Sequence, residues 1–173
     1  MVLSRLDNLI LVGLRASGKT TLARALAQSL DRPFVDLDDE LALRAGCTAD
    51  ELLAGQGEAA FRALERELLG GAAELRGRVI ATGGGAVLHP REMAALAATG
   101  CVVYLDLPLP ELLDRARSRP RPRLRPGSLE EELFALAAQR SSLYCEVAHI
   151  TLSSPDVDSI LDELKGWPQR PQG

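Results

Sequence analysis

"NLILVGLRASGKTTLARALAQSL", Asn8 to Leu30, decides the fold. Its first five residues, Asn8–Val12, read as a buried strand. Gly13-Leu14-Arg15-Ala16-Ser17-Gly18-Lys19-Thr20 then fits the pattern G-x-x-x-x-G-K-S/T. Lys19 to Leu30 continues as a helix, with Leu22, Leu26 and Leu30 four residues apart on one face. Strand, glycine loop and helix in that order make a phosphate cradle. The glycines let the backbone curl so that its N–H groups point inward, and the helix start adds a positive dipole. Gly13, Ala16, Ser17, Gly18, Lys19, Thr20 and Thr21 are therefore the expected nucleotide contacts. Lys19 is placed to reach the β- and γ-phosphates, and Thr20 to hold Mg²⁺. Lys19 also stands out by composition, because Lys165 is the only other lysine among 20 basic residues.

Outward from this stretch, apolar strands alternate with amphipathic helices to the end of the chain. Further strands are expected at Phe34–Leu37, Arg78–Thr82, Cys101–Leu107 and His149–Leu152. Helices are expected at 38–46, 48–55, 58–75, 90–98 and 110–118, from Ser128 to Val147, and after Ser154-Pro155. Thr48 with Glu51, and Ser128 with Glu131, fit capping boxes. Such alternation predicts a three-layer α/β/α fold around a five-stranded parallel sheet. No internal repeat or linker divides the chain, so residues 1–173 are expected to form a single domain. Ligands of such sheets bind beyond the carboxyl ends of the strands, which directs attention to the residues just after each one.

Composition narrows the function. Of 173 residues, 46% are hydrophobic and 25% charged, the balance of a soluble globular protein. No apolar run approaches a membrane span, and the N-terminus has no signal-like pattern, so the expected compartment is the cytoplasm. The net charge of −4 and an aromatic content of 3% disfavour a nucleic-acid partner. Cys47, Cys101 and Cys145 are too far apart for a metal site or a disulfide framework and read as small buried apolar residues. His89 and His149 show no ligand spacing.

Four further places carry candidate chemistry. After the second strand comes Asp36-Leu37-Asp38-Asp39-Glu40. If the strand persists that far, alternation puts Asp36 and Asp38 on one side, facing the phosphate loop. There they can act on Mg²⁺ or on an acceptor hydroxyl, whereas Asp39 and Glu40 read as capping or solvated. On the long helix, Arg62 and Glu65 are three apart on one face, a pattern equally compatible with a surface ion pair. After the third strand, Gly83-Gly84-Gly85 would let a ligand approach the backbone, or would simply be a connector. Last, "RSRPRPRLRPG", Arg117 to Gly127, lies between two helices, and Arg140 sits on the second of them.

Arginine occupies every second position from Arg115 to Arg125, which leaves 14 basic against 24 acidic residues elsewhere. Something anionic should approach this stretch. Pro120, Pro122 and Pro126 disfavour helix there. A mobile lid over a phosphoryl-transfer site, a solvated linker and a nucleic-acid patch remain open on pattern alone; the acidic, aromatic-poor body favours the lid.

Taken in order, these segments resemble a shikimate kinase, a member of the P-loop group similar to nucleoside-monophosphate kinases. GLRASGKT resembles the family's phosphate loop, FVDLDDEL its D-x-D segment, EAAFRALERE its F-R-x-x-E segment, TGGGAV its glycine loop, and RPRL its lid motif R-P-L-L. The resemblance implies ATP and Mg²⁺ as the nucleotide and metal, with Thr20 and Asp36 at the metal. It implies Asp38 on the hydroxyls of shikimate, Arg62 and Arg140 on its carboxylate with Glu65 supporting Arg62, and Gly83, Gly84 and Gly85 against the ring. It singles out Arg121, in a lid at about 115–127, as the γ-phosphate arginine. Lys19, Asp38 and Arg121 are the implied catalytic set, and helices at about 38–76 the implied acceptor-binding unit. A small-molecule partner, no nucleic acid, no membrane and a monomer follow as expectations.

The chain departs from the family at three places. Asp114 stands where an adenine-stacking arginine is usual, leaving Arg115 or Arg117 as substitutes. R-P-R-L adds a charge to the lid motif. The last strand-to-helix turn, SSPD, is short. The rival readings are a gluconate or nucleoside-monophosphate kinase of the same fold, which gives no reason for the F-R-x-x-E, GGG and Arg140 set, and a non-catalytic ligand-sensing module. The latter would normally carry a DNA-binding domain, and would be free to lose Lys19, Thr20 or Asp38.

Overall fold

The computed structural model describes residues 4–118 and 127–167. Its strands are β1 (Asn8–Val12), β2 (Phe34–Asp36), β3 (Val79–Ala81), β4 (Gly100–Leu105) and β5 (Ile150–Leu152). They pair in parallel throughout, in the order β2-β3-β1-β4-β5. The two central strands read as unbroken apolar runs because helices cover both faces. Every residue of β1 is buried, as are Cys101 to Leu105 of β4.

The helices are α1 (Lys19–Ser29), α2 (Leu37–Ala45), α3 (Ala49–Ala72), α4 (Pro90–Ala97), α5 (Leu109–Ser118), α6 (Leu129–Val147) and α7 (Val157–Lys165). Helix α1 packs on β1, β2 and β3 and meets α7, while α4 and α6 pack on β4 and on each other. Leu26, Met93, Leu96, Leu133, Leu136 and Ile160 are among the fully buried contributions of these helices to one continuous core. Helices α2 and α3 give Leu37, Leu69 and Ala72 to this core and also share a second, smaller cluster of Leu41, Leu52 and Leu68, joined by Phe61 and Leu64.

Most boundaries follow local signals. Both expected capping boxes form, at Thr48–Glu51 and Ser128–Glu131. The break expected between residues 55 and 58 is a kink at Gly57 inside α3. Three expectations need correction. The strand after Pro33 ends at Asp36, which turns its carboxylate onto the amides of Asp38 and Asp39 and caps α2. Asp36 and Asp38 therefore share no strand face, and a side-chain cap overrides the extended reading. The last helix starts later, capped by Asp156 rather than opened at Ser154-Pro155. Cys101 is buried as expected, but Cys47 is only half-buried and Cys145 is exposed.

At the amino ends of the strands, Asn8 works as a clasp. Its amide donates to the Leu75 carbonyl and the Thr99 hydroxyl, at 2.7 and 2.8 Å, and its side-chain oxygen accepts from Arg78 N at 2.9 Å. One fully buried side chain thereby joins the entries of β1, β3 and β4.

Candidate active site

The loop between β1 and α1 closes around its own lysine. Lys19 Nζ donates to the carbonyls of Gly13 and Leu14 at 2.9 and 2.8 Å, and the side chain is buried. Gly18 caps α1 with φ 91°, a left-handed conformation that glycine adopts without steric cost. Ala16 also has positive φ, 65°, where an L-residue pays a steric penalty. The curl is thus held against some strain. Thr20 Oγ1 donates to Asp36 Oδ2 at 2.6 Å, which sets a hydroxyl beside a carboxylate at the mouth of the loop. Two hard oxygen donors on one side suit Mg²⁺, which keeps several waters and is commonly held by one or two protein groups plus phosphates. Among the described residues no cluster of three or more histidine, cysteine or acidic side chains could hold a metal alone. Thr21, further along α1, is exposed.

Arg115, near the end of α5, reaches the same loop. Its Nη1 donates to Ser17 O at 3.3 Å, while Nη2 pairs with Glu111. Among the described residues, Arg117 makes an exposed ion pair with Asp114 alone. Of the two candidates for the missing arginine, Arg115 is the one against the phosphate loop. Arg121, with Arg119, Arg123 and Arg125, lies outside the described residues.

Opposite the phosphate loop, the residues after β3 meet side chains from three helices. A Cβ on Gly83 would lie 2.6 Å from Asp38 Oδ1 and 3.3 Å from Glu65 Oε1. On Gly85 it would overlap Arg62 Nη1 and approach Glu65 Oε1 at 2.7 Å. A side chain at either position would displace the ends of Asp38, Arg62 or Glu65. Arg62 pairs with Glu65 at 2.7 Å, and His89 Nε2 meets the same Glu65 oxygen at 2.9 Å. Beneath Asp38, Glu65 and Gly83 lies a small cavity with an apolar floor of Leu37, Leu41, Leu68 and Leu69.

Gly84 joins the two sides. Its carbonyl accepts from Arg140 Nη1 at 2.9 Å and from the Tyr144 hydroxyl at 2.6 Å. A Cβ on Gly84 would lie 3.6 Å from Arg15 N and 3.7 Å from Gly13 O, so the glycine loop packs directly on the phosphate loop. Arg140 is buried, and burial holds its guanidinium below the ordinary range; the like charge of Arg62 acts in the same direction. Two arginines kept near each other in a partly dry site favour an anion between them. Burial pushes the Tyr144 hydroxyl up to about 12, so it stays a donor. Among the described residues, Arg140 Nε is buried without a hydrogen-bond partner, as is Glu132 Oε2, whose other oxygen pairs with Arg15 at 2.5 Å.

Sequence reasoning missed three members of this neighbourhood. Tyr144 was findable, since it lies four residues after Arg140 on the same helix face. His89 lies just beyond the glycine loop, where residues after a strand end belong to the site. Glu132 meets Arg15 across 117 residues, and no local signal announces that.

The comparisons with known proteins agree with this geometry. The family model for shikimate kinase matches residues 15–165. A shikimate kinase from Nitrosomonas europaea is 41% identical over 148 residues, covering 85% of this chain and 70% of its own. One from Symbiobacterium thermophilum is 44% identical over 148 residues, covering 84% and 85%. Among solved structures, the shikimate kinase from Acinetobacter baumannii in complex with shikimate superposes with a TM-score of 0.86 at 35% identity, covering 93% of this chain and 94% of that one.

Proposed function

The chain belongs to the shikimate kinase family, and from that premise we propose how its residues divide the work. The protein transfers the γ-phosphoryl group of ATP to the 3-hydroxyl of shikimate, giving ADP and shikimate 3-phosphate, in aromatic amino-acid biosynthesis. One observation carries the assignment of roles. Gly84, whose carbonyl is gripped by Arg140 and Tyr144, itself packs against the phosphate loop, so a carboxylate site and a phosphate site abut.

In this reading Arg62 and Arg140 hold the carboxylate of shikimate, because planar guanidinium forks bind carboxylates bidentately. Gly83 to Gly85 let the ring lie against backbone. Asp38, exposed beside Gly83, accepts hydrogen bonds from ring hydroxyls and takes the proton of the attacking 3-hydroxyl. The backbone N–H groups of Gly13 to Thr20 cradle the phosphates, and Lys19 exchanges its own loop carbonyls for the β- and γ-phosphate oxygens. Thr20 and Asp36 would hold Mg²⁺, which when bound offsets negative charge on the phosphates. Arg121, outside the described residues, supplies positive charge to the transferred group, and Arg115 stands in at the adenine side. The protein acts as a cytoplasmic monomer formed from one domain, without nucleic-acid or membrane partners. Its net charge of −4 and three free cysteines support that setting. Among the described residues no helix is long and apolar enough to cross a membrane.

ADP release with shikimate, quinate, gluconate and nucleoside monophosphates as acceptors tests the reading. Shikimate is expected to be preferred over nucleoside monophosphates, which carry no carboxylate, by at least about 100-fold, since a site built to pair with a polar group rejects ligands that lack it. Turnover with a nucleoside monophosphate but not with shikimate would overturn it.

A further inference from the structure

His89 has no part in the roles assigned so far, yet it is packed against them. Its ring is 10% exposed. It follows the 3-10 turn Ala86–Leu88 and stands at the N-cap of α4, but its side chain makes no capping bond there. Instead Nε2 lies 2.9 Å from Glu65 Oε2, on α3. A carboxylate can only accept, so the ring donates. The same oxygen takes Arg62 Nη1 at 2.7 Å, and Glu65 Oε1 faces Gly83 and Gly85. Glu65 is therefore held on two sides: by His89 from the turn beyond β3 and by Arg62 from its own helix.

Arg62 has a competing partner. Glu58, one turn back on α3, meets it at 3.4 Å and is 74% exposed, against 8% for Glu65. An exposed pair at that distance contributes little, whereas the shorter, sheltered pair governs the side chain. The balance holds only while the Glu65 carboxylate stays fixed. Released, it can turn about its last torsion, and Arg62 is left to Glu58 and water.

We propose that His89 is a positioning residue for acceptor binding: by anchoring Glu65 it keeps Arg62 turned toward the glycine loop, where Arg62 receives the carboxylate of the acceptor. The proposal rests on the role given to Arg62 above. It assigns His89 to the acceptor's KM and leaves the phosphate loop untouched.

Two variants isolate the bond. His89→Leu keeps comparable bulk and removes the donor, and His89→Gln restores a donor of similar reach. With His89→Leu the KM for shikimate is expected to rise by about 5–10-fold, the scale of one ordinary net hydrogen bond, since the lost bond acts on the acceptor only through Arg62. The values of kcat and of the KM for ATP should stay within about twofold, and His89→Gln should recover most of the loss. An unchanged shikimate KM in His89→Leu overturns the proposal. So does a loss that glutamine does not recover, or one that appears in kcat and melting temperature alone, since those are the marks of a purely structural histidine. Arg62→Ala, assayed alongside, separates the two layers. If it leaves the shikimate KM unchanged, the carboxylate reading fails and this proposal falls with it. If it raises KM while His89→Leu does not, only the proposal fails.

Discussion

The two halves of the cleft are made of different material. On the nucleotide side the inward-facing groups are largely backbone, from eight consecutive residues curled around Lys19. On the acceptor side they are side chains from four separate places: Asp38 on α2, Arg62 and Glu65 on α3, His89 beyond the glycine loop, and Arg140 with Tyr144 on α6. A backbone cradle is specified by local conformation and tolerates exchange at most of its side chains. A side-chain site is specified by packing between distant segments, so each member leans on its neighbours. Damage to the first half should be all-or-none at its one essential side chain, and damage to the second should be graded.

The largest expected effect tests the first half. Lys19→Met should lower turnover by about 10³-fold, the upper end for loss of one group that stabilises transition-state charge. Shikimate affinity, measured by calorimetry without nucleotide, should move by less than about twofold. A parallel loss of shikimate binding would erase the division between the halves. Next in size, Arg140→Ala should weaken shikimate binding by about 1.5–3 kcal/mol, the range for a hydrogen bond to a charged group, while ADP binding holds. Comparable losses for both ligands would mean that the Gly84 contact transmits damage across the cleft. The smallest effect sharpens the comparison from within the cradle. Ala16 has φ 65°, so Ala16→Gly relieves left-handed strain of roughly 1–2 kcal/mol but loosens the unfolded chain by about 0.4–1 kcal/mol. A net gain near 0.5 kcal/mol in denaturant unfolding is expected, with both KM values nearly unchanged. A net loss would show that the loop does not hold Ala16 in the strained conformation in solution.

The same contrast explains what could be read from the amino-acid order. Gly13 to Thr20 are contiguous and follow an apolar run, so the cradle, its strand and its helix were all visible together. The capping boxes at Thr48 and Ser128 were visible for the same reason: their partners lie three residues away. The alternation argument for Asp36 and Asp38 failed because the strand ends at Asp36, two residues short of Asp38, and a carboxylate satisfying two amides outweighs further extended residues. Asp38 still lies against Gly83, but from the first turn of a helix. Arg62 with Glu65 could not be told from a surface pair, since their burial comes from α2 and the glycine loop rather than from α3. His89 stayed silent because its partner is 24 residues away, on an element whose approach only the fold creates.

The Asn8 clasp has a consequence for how such a protein can change over time. It fastens β1, β3 and β4 at the rim opposite the cleft. Cohesion and chemistry therefore occupy opposite ends of the same strands. Lineages can rewrite the catalytic rim, exchanging one acceptor for another, while the far rim keeps the chain above its folding threshold. The two rims are therefore free to change independently of each other.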